Sequence, residues 1–256
     1  MPGMSDVQQS RGWAAQYIEV TELAGVRSAV LTFRCRTSAV SFVLFPMIHL
    51  GEPAFYGQVA DRLRRCDLVV AEGIRGGSVS AQAITAAYRR LDGSRRLGLV
   101  VQHIDFDALG VPVANPDMTD REFDGEFRKL PLRERMAMAA LVPVFVAGMR
   151  LLGTRHWLAR QLQTEDLPTD AEQAAADGFE GLEKLLVDSR DRLLLDTLTK
   201  IHQERSAAGE RSVVGVVYGA DHMRAVAEHL WALDYRPLDS EWLTVFHLHQ
   251  PPGRTR

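Results

Sequence analysis

Residues 41–73, SFVLFPMIHLGEPAFYGQVADRLRRCDLVVAEG, read as strand, turn, helix and strand, and the rest of the chain is organised around them. An apolar run from Phe42 to Phe45 stops at Pro46, and His49 follows just past it. Gly51-Glu52-Pro53 opens a helix whose apolar positions Phe55, Val59 and Leu63 recur every four residues, with Arg62, Arg64 and Arg65 on the wet side. A second apolar run, Leu68 to Ala71, ends at Glu72-Gly73. A crossover of this length joins neighbouring parallel strands, so His49 and Glu72 are expected at the carboxyl edge of one sheet. Open sheets of this kind place their ligand crevice there.

The flanking sequence extends the pattern. Three short strands rich in Val, Ile, Thr and Phe (17–23, 28–35 and 39–45) form a meander leading into the parallel unit. Further strands are expected at 97–102, with His103 at its end, and at 111–114, followed by Asn115-Pro116-Asp117. A helix is expected over 78–91. Residues 119–207 change character to helix, in pieces 119–130, 132–164, 169–187 and 189–207, with Thr169-Asp170 and Glu172 marking a helix start. Arg190 falls in the first turn of the last piece, where a cation opposes the helix dipole. The chain then returns to α/β: a buried strand at 212–217, the turn Tyr218-Gly219-Ala220-Asp221-His222, a helix at 223–233 and terminal strands at 235–238 and 242–248. Asp221 is read as the cap of that helix. The fold expected is α/β: a mixed sheet with parallel central strands, flanking helices and a large helical insertion at about 119–207 covering the crevice. Residues 15–256 form one domain in this reading, and residues 1–14 are expected to be loose.

Composition narrows the function. The 256 residues are 46% hydrophobic and 25% charged, as for an ordinary globular chain with a sizeable core. A net charge of −3 gives no basic field, which argues against a nucleic-acid partner. Cys35 and Cys66 have no metal-type spacing and read as core residues. The N-terminus lacks an export pattern, so a cytoplasmic location is expected. Met136 to Met149 carries no charge over fourteen residues, interrupted by Pro143, and is too short for a span. The apolar helix at 136–152 is instead expected to serve as a buried or partner-facing element, for a homodimer or peripheral membrane contact.

His49, Glu72 and His222 each close an apolar strand at what should be one sheet edge. Two imidazoles and a carboxylate are a common set for a catalytic divalent ion with an open position. The same residues also allow a metal-free route, with Glu72 as acid/base and a histidine activating water. His103 is a similarly placed alternate. His247 and His249 alternate on a terminal strand, with no third ligand in view.

PMIHLG, VVAEG, LLVDSRDRLLLDTL and VVGVVYGADHM, taken in order, resemble the TraB/PrgY/GumN family and its Tiki-like protease relatives, over roughly Phe42 to Leu230. That family is similar in turn to erythromycin esterases and ChaN-like proteins. The resemblance implies a metallohydrolase or metalloprotease acting on a peptide or amide bond of a peptide or small-molecule ligand. It assigns a divalent ion (zinc, manganese or cobalt) to His49, Glu72 and His222, with Glu72 also catalytic. Arg190 is implied to bind substrate or an oxyanion, and Gly219 belongs to the second glycine–histidine motif. Asp117 stands where relatives carry an Asp-Arg pair, and Pro46 stands where the first motif has glycine. A metal-free esterase-like hydrolase and a non-catalytic binding protein are the alternative readings.

Overall fold

The computed structural model of the chain describes residues 17–73, 97–137, 139–140, 148, 153–162, 181 and 184–249. Its strands are β1 (Ile18–Thr21), β2 (Gly25–Arg34), β3 (Val40–Met47), β4 (Leu50–Gly51), β5 (Leu68–Ala71), β6 (Val100–Val101), β7 (Val113–Ala114), β8 (Ser212–Gly219) and β9 (Arg236–Phe246). The helices are α1 (Pro53–Leu63), α2 (Asp120–Lys129), α3 (Arg155–Leu162), α4 (Ser189–Ala208) and α5 (Met223–Ala232).

The main sheet follows the order β1-β2-β3-β8-β5-β7, with β9 also paired to β2, and a separate two-stranded ribbon joins β4 to β6. The meander β1-β2-β3 is antiparallel, and β3, β8, β5 and β7 are mutually parallel. Gly25 makes the first turn at a φ of +76°, and a methyl group there would run into the Phe246 carbonyl. β3 and β5 are therefore parallel, as the opening stretch predicts, but they are not neighbours. β8 lies between them, pairing residue by residue with β3 from Val40↔Ser212 to Met47↔Gly219. Nothing local to residues 41–73 carries that insertion, because β8 arrives from 140 residues downstream.

Both faces of this parallel centre are covered, which explains why its strands read as continuous apolar runs. On one face Phe45, Met47, Val69, Ala71 and Val217 pack with α1 and with Leu158 and Ala159 of α3. The alternate residues Phe42, Leu44, Val70, Val214, Val216 and Tyr218 pack on the other face with Leu194, Leu198 and Ile201 of α4 and with α5. Leu194 and Leu198 are fully buried, and each contributes on the order of 1.5–3 kcal/mol. α4 is thus a body helix of the fold rather than part of a cover over the crevice. α2 carries its own small core, Met118, Phe123 and Leu185. It begins with a capping box in which Thr119 and Glu122 exchange bonds.

Several expectations shift in detail. Pro46 does not stop β3; the strand continues to Met47. Its β2 ladder ends at Leu44↔Leu31, and the Pro46 carbonyl accepts instead from Ser28 Oγ at 2.6 Å. A strand residue's N and C=O point the same way, so the missing amide hydrogen falls where no ladder partner is needed. The two terminal strands are a single one, β9. Its polar middle, Asp239-Ser240-Glu241, looks like a break but is the exposed part of an outer strand, near a register shift. The expected helix 132–164 is not continuous, since Gly153-Thr154 interrupts it before α3. The helices expected at 78–91 and over most of 169–187, and most of the 136–152 segment, lie outside the described residues. Among the described residues no helix is long and apolar enough to cross a membrane. Cys35 and Cys66 are buried.

Candidate functional site

Three parallel strands deliver polar groups to one edge. Glu72 follows β5, Asp117 follows β7 by three residues, and Gly219 ends β8 with His222 in the 3₁₀ turn Ala220–His222. Side-chain parity decides which face they serve. Glu72 continues the Leu68–Val70 parity, toward the α4 side, and the first turn of α4 brings Arg190 and Asp191 there.

The result is a tight ionic cluster. Arg190 Nη2 donates to Glu72 Oε1 at 2.7 Å and to Asp117 Oδ2 at 2.5 Å, and its Nε donates to Asp117 Oδ1 at 2.9 Å. Gly219 N donates to Glu72 Oε2 at 2.6 Å. His222 Nδ1 bonds Asp191 Oδ1 at 2.7 Å, and its Nε2 lies 3.7 Å from Glu72 Oε1. The imidazole is therefore held between two carboxylates, one at each ring nitrogen. Asp117 is fully buried and also accepts from the Gly73 and Met118 amides, so it positions Arg190 and the strand ends rather than facing a ligand. Glu72, Arg190 and Asp191 keep a small exposure of 15%, 11% and 14%, so the cluster is not fully closed off from solvent.

The charges follow from these contacts. Burial disfavours the Glu72 carboxylate, but the facing His222, the Arg190 charge and the Gly219 amide outweigh it and hold the carboxyl far below its usual range. Burial likewise opposes the His222 imidazolium. The Asp191 bond and the Glu72 charge overcome both that and the nearby Arg190, and the pKa is pushed up to about 9. For Arg190, too, the carboxylates of Asp117 and Glu72 override burial and keep it charged. Tyr218, edge-to-face with His222 at 5.5 Å, has its hydroxyl buried without a hydrogen-bond partner among the described residues, and burial pushes its phenol up.

The expected anomaly at Arg190 resolves locally. A π-helical turn, Lys184–Asp188, runs directly into α4, so Arg190 does not sit at an open helix end, and its Nη1 donates back to Leu186 O at 3.5 Å. Asp191 is the residue that sequence reasoning missed as the partner of His222. The only trace in the sequence is its adjacency to Arg190. Asp221, read as the helix cap, is exposed, and His222 itself holds the N-cap position of α5.

His49 does not join this cluster as a metal ligand. Met47, Ile48 and Leu50 all pack on the α1 side of the sheet, and His49 is exposed at the turn into β4. His103 is exposed beyond β6, in the same ribbon, where Gln102 N donates to the His49 carbonyl at 2.7 Å. Among the described residues, His49, Glu72 and His222 do not form a group with mutually close ligand atoms. Glu72 is moreover committed to a guanidinium and an amide. These residues do not fit the divalent ion that the family resemblance assigns to them. The described group that does bring three ligand atoms together is Glu22, His156 and His249, within 4.8 Å of one another.

Compared with family models, curated proteins and solved structures, the chain has no match.

Proposed function

We propose that the chain is a hydrolase that cleaves an acyl bond, ester or amide, of a peptide or small molecule, by acid–base chemistry at His222 without a metal in the pocket. The observation that carries this reading is the imidazole fixed by Asp191 at Nδ1, 2.7 Å away, with Nε2 on the side of the Glu72 carboxylate, 3.7 Å from its Oε1. A carboxylate at Nδ1 fixes ring orientation and tautomer, as in hydrolytic triads. A water entering beside Nε2 gives up its proton there as it attacks the carbonyl carbon. The same proton passes to the leaving group when the tetrahedral intermediate collapses. Glu72, kept ionised, stabilises the imidazolium and holds Arg190. The Arg190 guanidinium, held against Glu72 at 2.7 Å, supplies the fixed positive charge that favours the developing oxyanion.

The ordered motifs and the parallel sheet covered on both faces support reading the chain as TraB/Tiki-like, with the erythromycin esterase/ChaN-like architecture. The divalent ion, zinc, manganese or cobalt, enters this proposal only away from the pocket, at Glu22, His156 and His249. The test is a panel of acyl esters, amides and peptides, assayed in chelator with the wild type and His222→Gln. Hydrolysis that survives chelation and disappears in the variant supports the proposal. Turnover lost to chelator while the fold stays intact would restore the metallohydrolase reading. Saturable binding of a panel member without turnover would leave a binding protein.

A further inference from the structure

Three segments far apart in sequence meet at one point on the surface: the turn between β1 and β2, the start of α3 and the residues just after β9. We propose that Glu22, His156 and His249, one from each, form a binding site for a divalent first-row transition ion, zinc foremost. The ion would fasten α3 and the end of β9 to the edge of the meander. None of these residues belongs to the His222 pocket, so the inference is independent of the hydrolase proposal.

The spacing is the first argument. Glu22 Oε2 lies 3.6 Å from His156 Nε2 and 3.7 Å from His249 Nε2, and the two imidazoles meet edge-to-face at 4.9 Å. Hydrogen bonds of this type would close to about 2.9 Å. Ligands around a tetrahedral zinc, at about 2.0–2.1 Å from the metal, sit roughly 3.3 Å apart, close to the two glutamate–imidazole distances, and all three ligand atoms lie within 4.8 Å of one another.

Preorganisation is the second. Arg155, next to His156 and buried, donates to Leu97 O at 2.7 Å, to Glu52 Oε1 at 2.6 Å and to His247 O at 2.8 Å. Glu52 also accepts from His247 N at 3.2 Å. One guanidinium–carboxylate pair thus ties together the backbones that carry both histidines. The donor set is the third argument. Two imidazoles and a carboxylate suit zinc or cobalt, and an exposed site with three protein ligands leaves the fourth position to water.

The test uses the full chain without an affinity tag, stripped with chelator and titrated with cobalt(II) and zinc(II) salts. Glu22, His156 and His249 side chains are 79%, 43% and 75% exposed, so their variants should fold normally. The expected result is one ion per chain, a visible cobalt spectrum of a four-coordinate nitrogen/oxygen site and a thermal midpoint that rises with zinc. His156→Ala and His249→Ala should each weaken binding roughly tenfold or more and abolish the midpoint shift, while His222→Gln should leave both intact. Zinc binding unchanged in the His156→Ala/His249→Ala double variant would overturn the proposal, as would a wild type that binds no ion.

Discussion

Replacing Asp191 with asparagine preserves shape but removes the charge that faces His222 Nδ1 at 2.7 Å. In the wild type the imidazole pKa rises from 6.5 to about 9, which at about 1.4 kcal/mol per pH unit corresponds to ~3 kcal/mol of folding free energy. A group whose folded pKa exceeds its unfolded value stabilises most below the unfolded value. That contribution is present in full below pH 6.5 and is lost as pH climbs through about 9. A charge-assisted hydrogen bond is worth ~1.5–3 kcal/mol, so Asp191→Asn should lower the His222 pKa by about one to two pH units. The remaining elevation comes from Glu72. Two assays read this: the His222 imidazole resonance by NMR, assigned with His222→Gln, and urea unfolding between pH 6 and 10. The wild type should lose stability across that interval, and the variant should lose less of it. A wild-type His222 that titrates near 6.5, or an Asp191→Asn variant with an unchanged pH dependence, would refute the reasoning.

Other substitutions probe the rest of the cluster and the sheet beneath it. Arg190→Met strands the Glu72 and Asp117 carboxylates without their shared cation and should cost ~3–5 kcal/mol in urea unfolding. Arg190→Lys should recover only part, because an ammonium cannot reproduce the fork that serves both carboxylates. Gly219 has a φ of −50°, and a methyl there would meet Glu72 Oε2 at 3.4 Å and His222 Cδ2 at 3.6 Å. Gly219→Ala should therefore change stability by less than about 1 kcal/mol yet lower kcat/KM on any ester substrate about tenfold, by crowding the approach to Nε2. Gly215→Ala tests the close seating of α1 on β8. Its Cβ would lie 3.0 Å from Cys66 Sγ and 3.1 Å from Leu63 Cδ2, so a loss of ~1–3 kcal/mol is expected, partly recovered by adding Cys66→Ala.

The sequence was most informative where a signal is local. The β3–α1–β5 unit, the strand-end position of Glu72 and the turn that presents His222 all follow from apolar runs and helical spacing within 35 residues. Arg190 stood out in the sequence as a cation in a first helical turn, although the π-helical turn Lys184–Asp188 continues directly into α4 and removes that conflict. What could not be read were relations across the chain. The insertion of β8 between β3 and β5 is a choice of pairing that no window of sequence contains. It explains why His222 meets Glu72 across a shared ladder. His49 lies off the cluster because strand parity past Pro46 carries the chain toward the other face. Met47 faces α1, and the chain leaves the sheet on that side. Asp191 and the Glu22–His156–His249 group were missed for the same reason. A carboxylate one residue from a noted arginine, or histidines on separate elements, gain meaning only when the fold brings their partners.

The proposed hydrolysis turns on one proton transfer at one imidazole. Its most direct test is the pH dependence of kcat/KM for a hydrolysed ester in the presence of chelator. The rate should climb about tenfold per pH unit to a plateau near pH 9, where neutral His222 becomes the major form, with the limb displaced to lower pH in Asp191→Asn. A profile that is flat through that range, or identical in the two proteins, would contradict it.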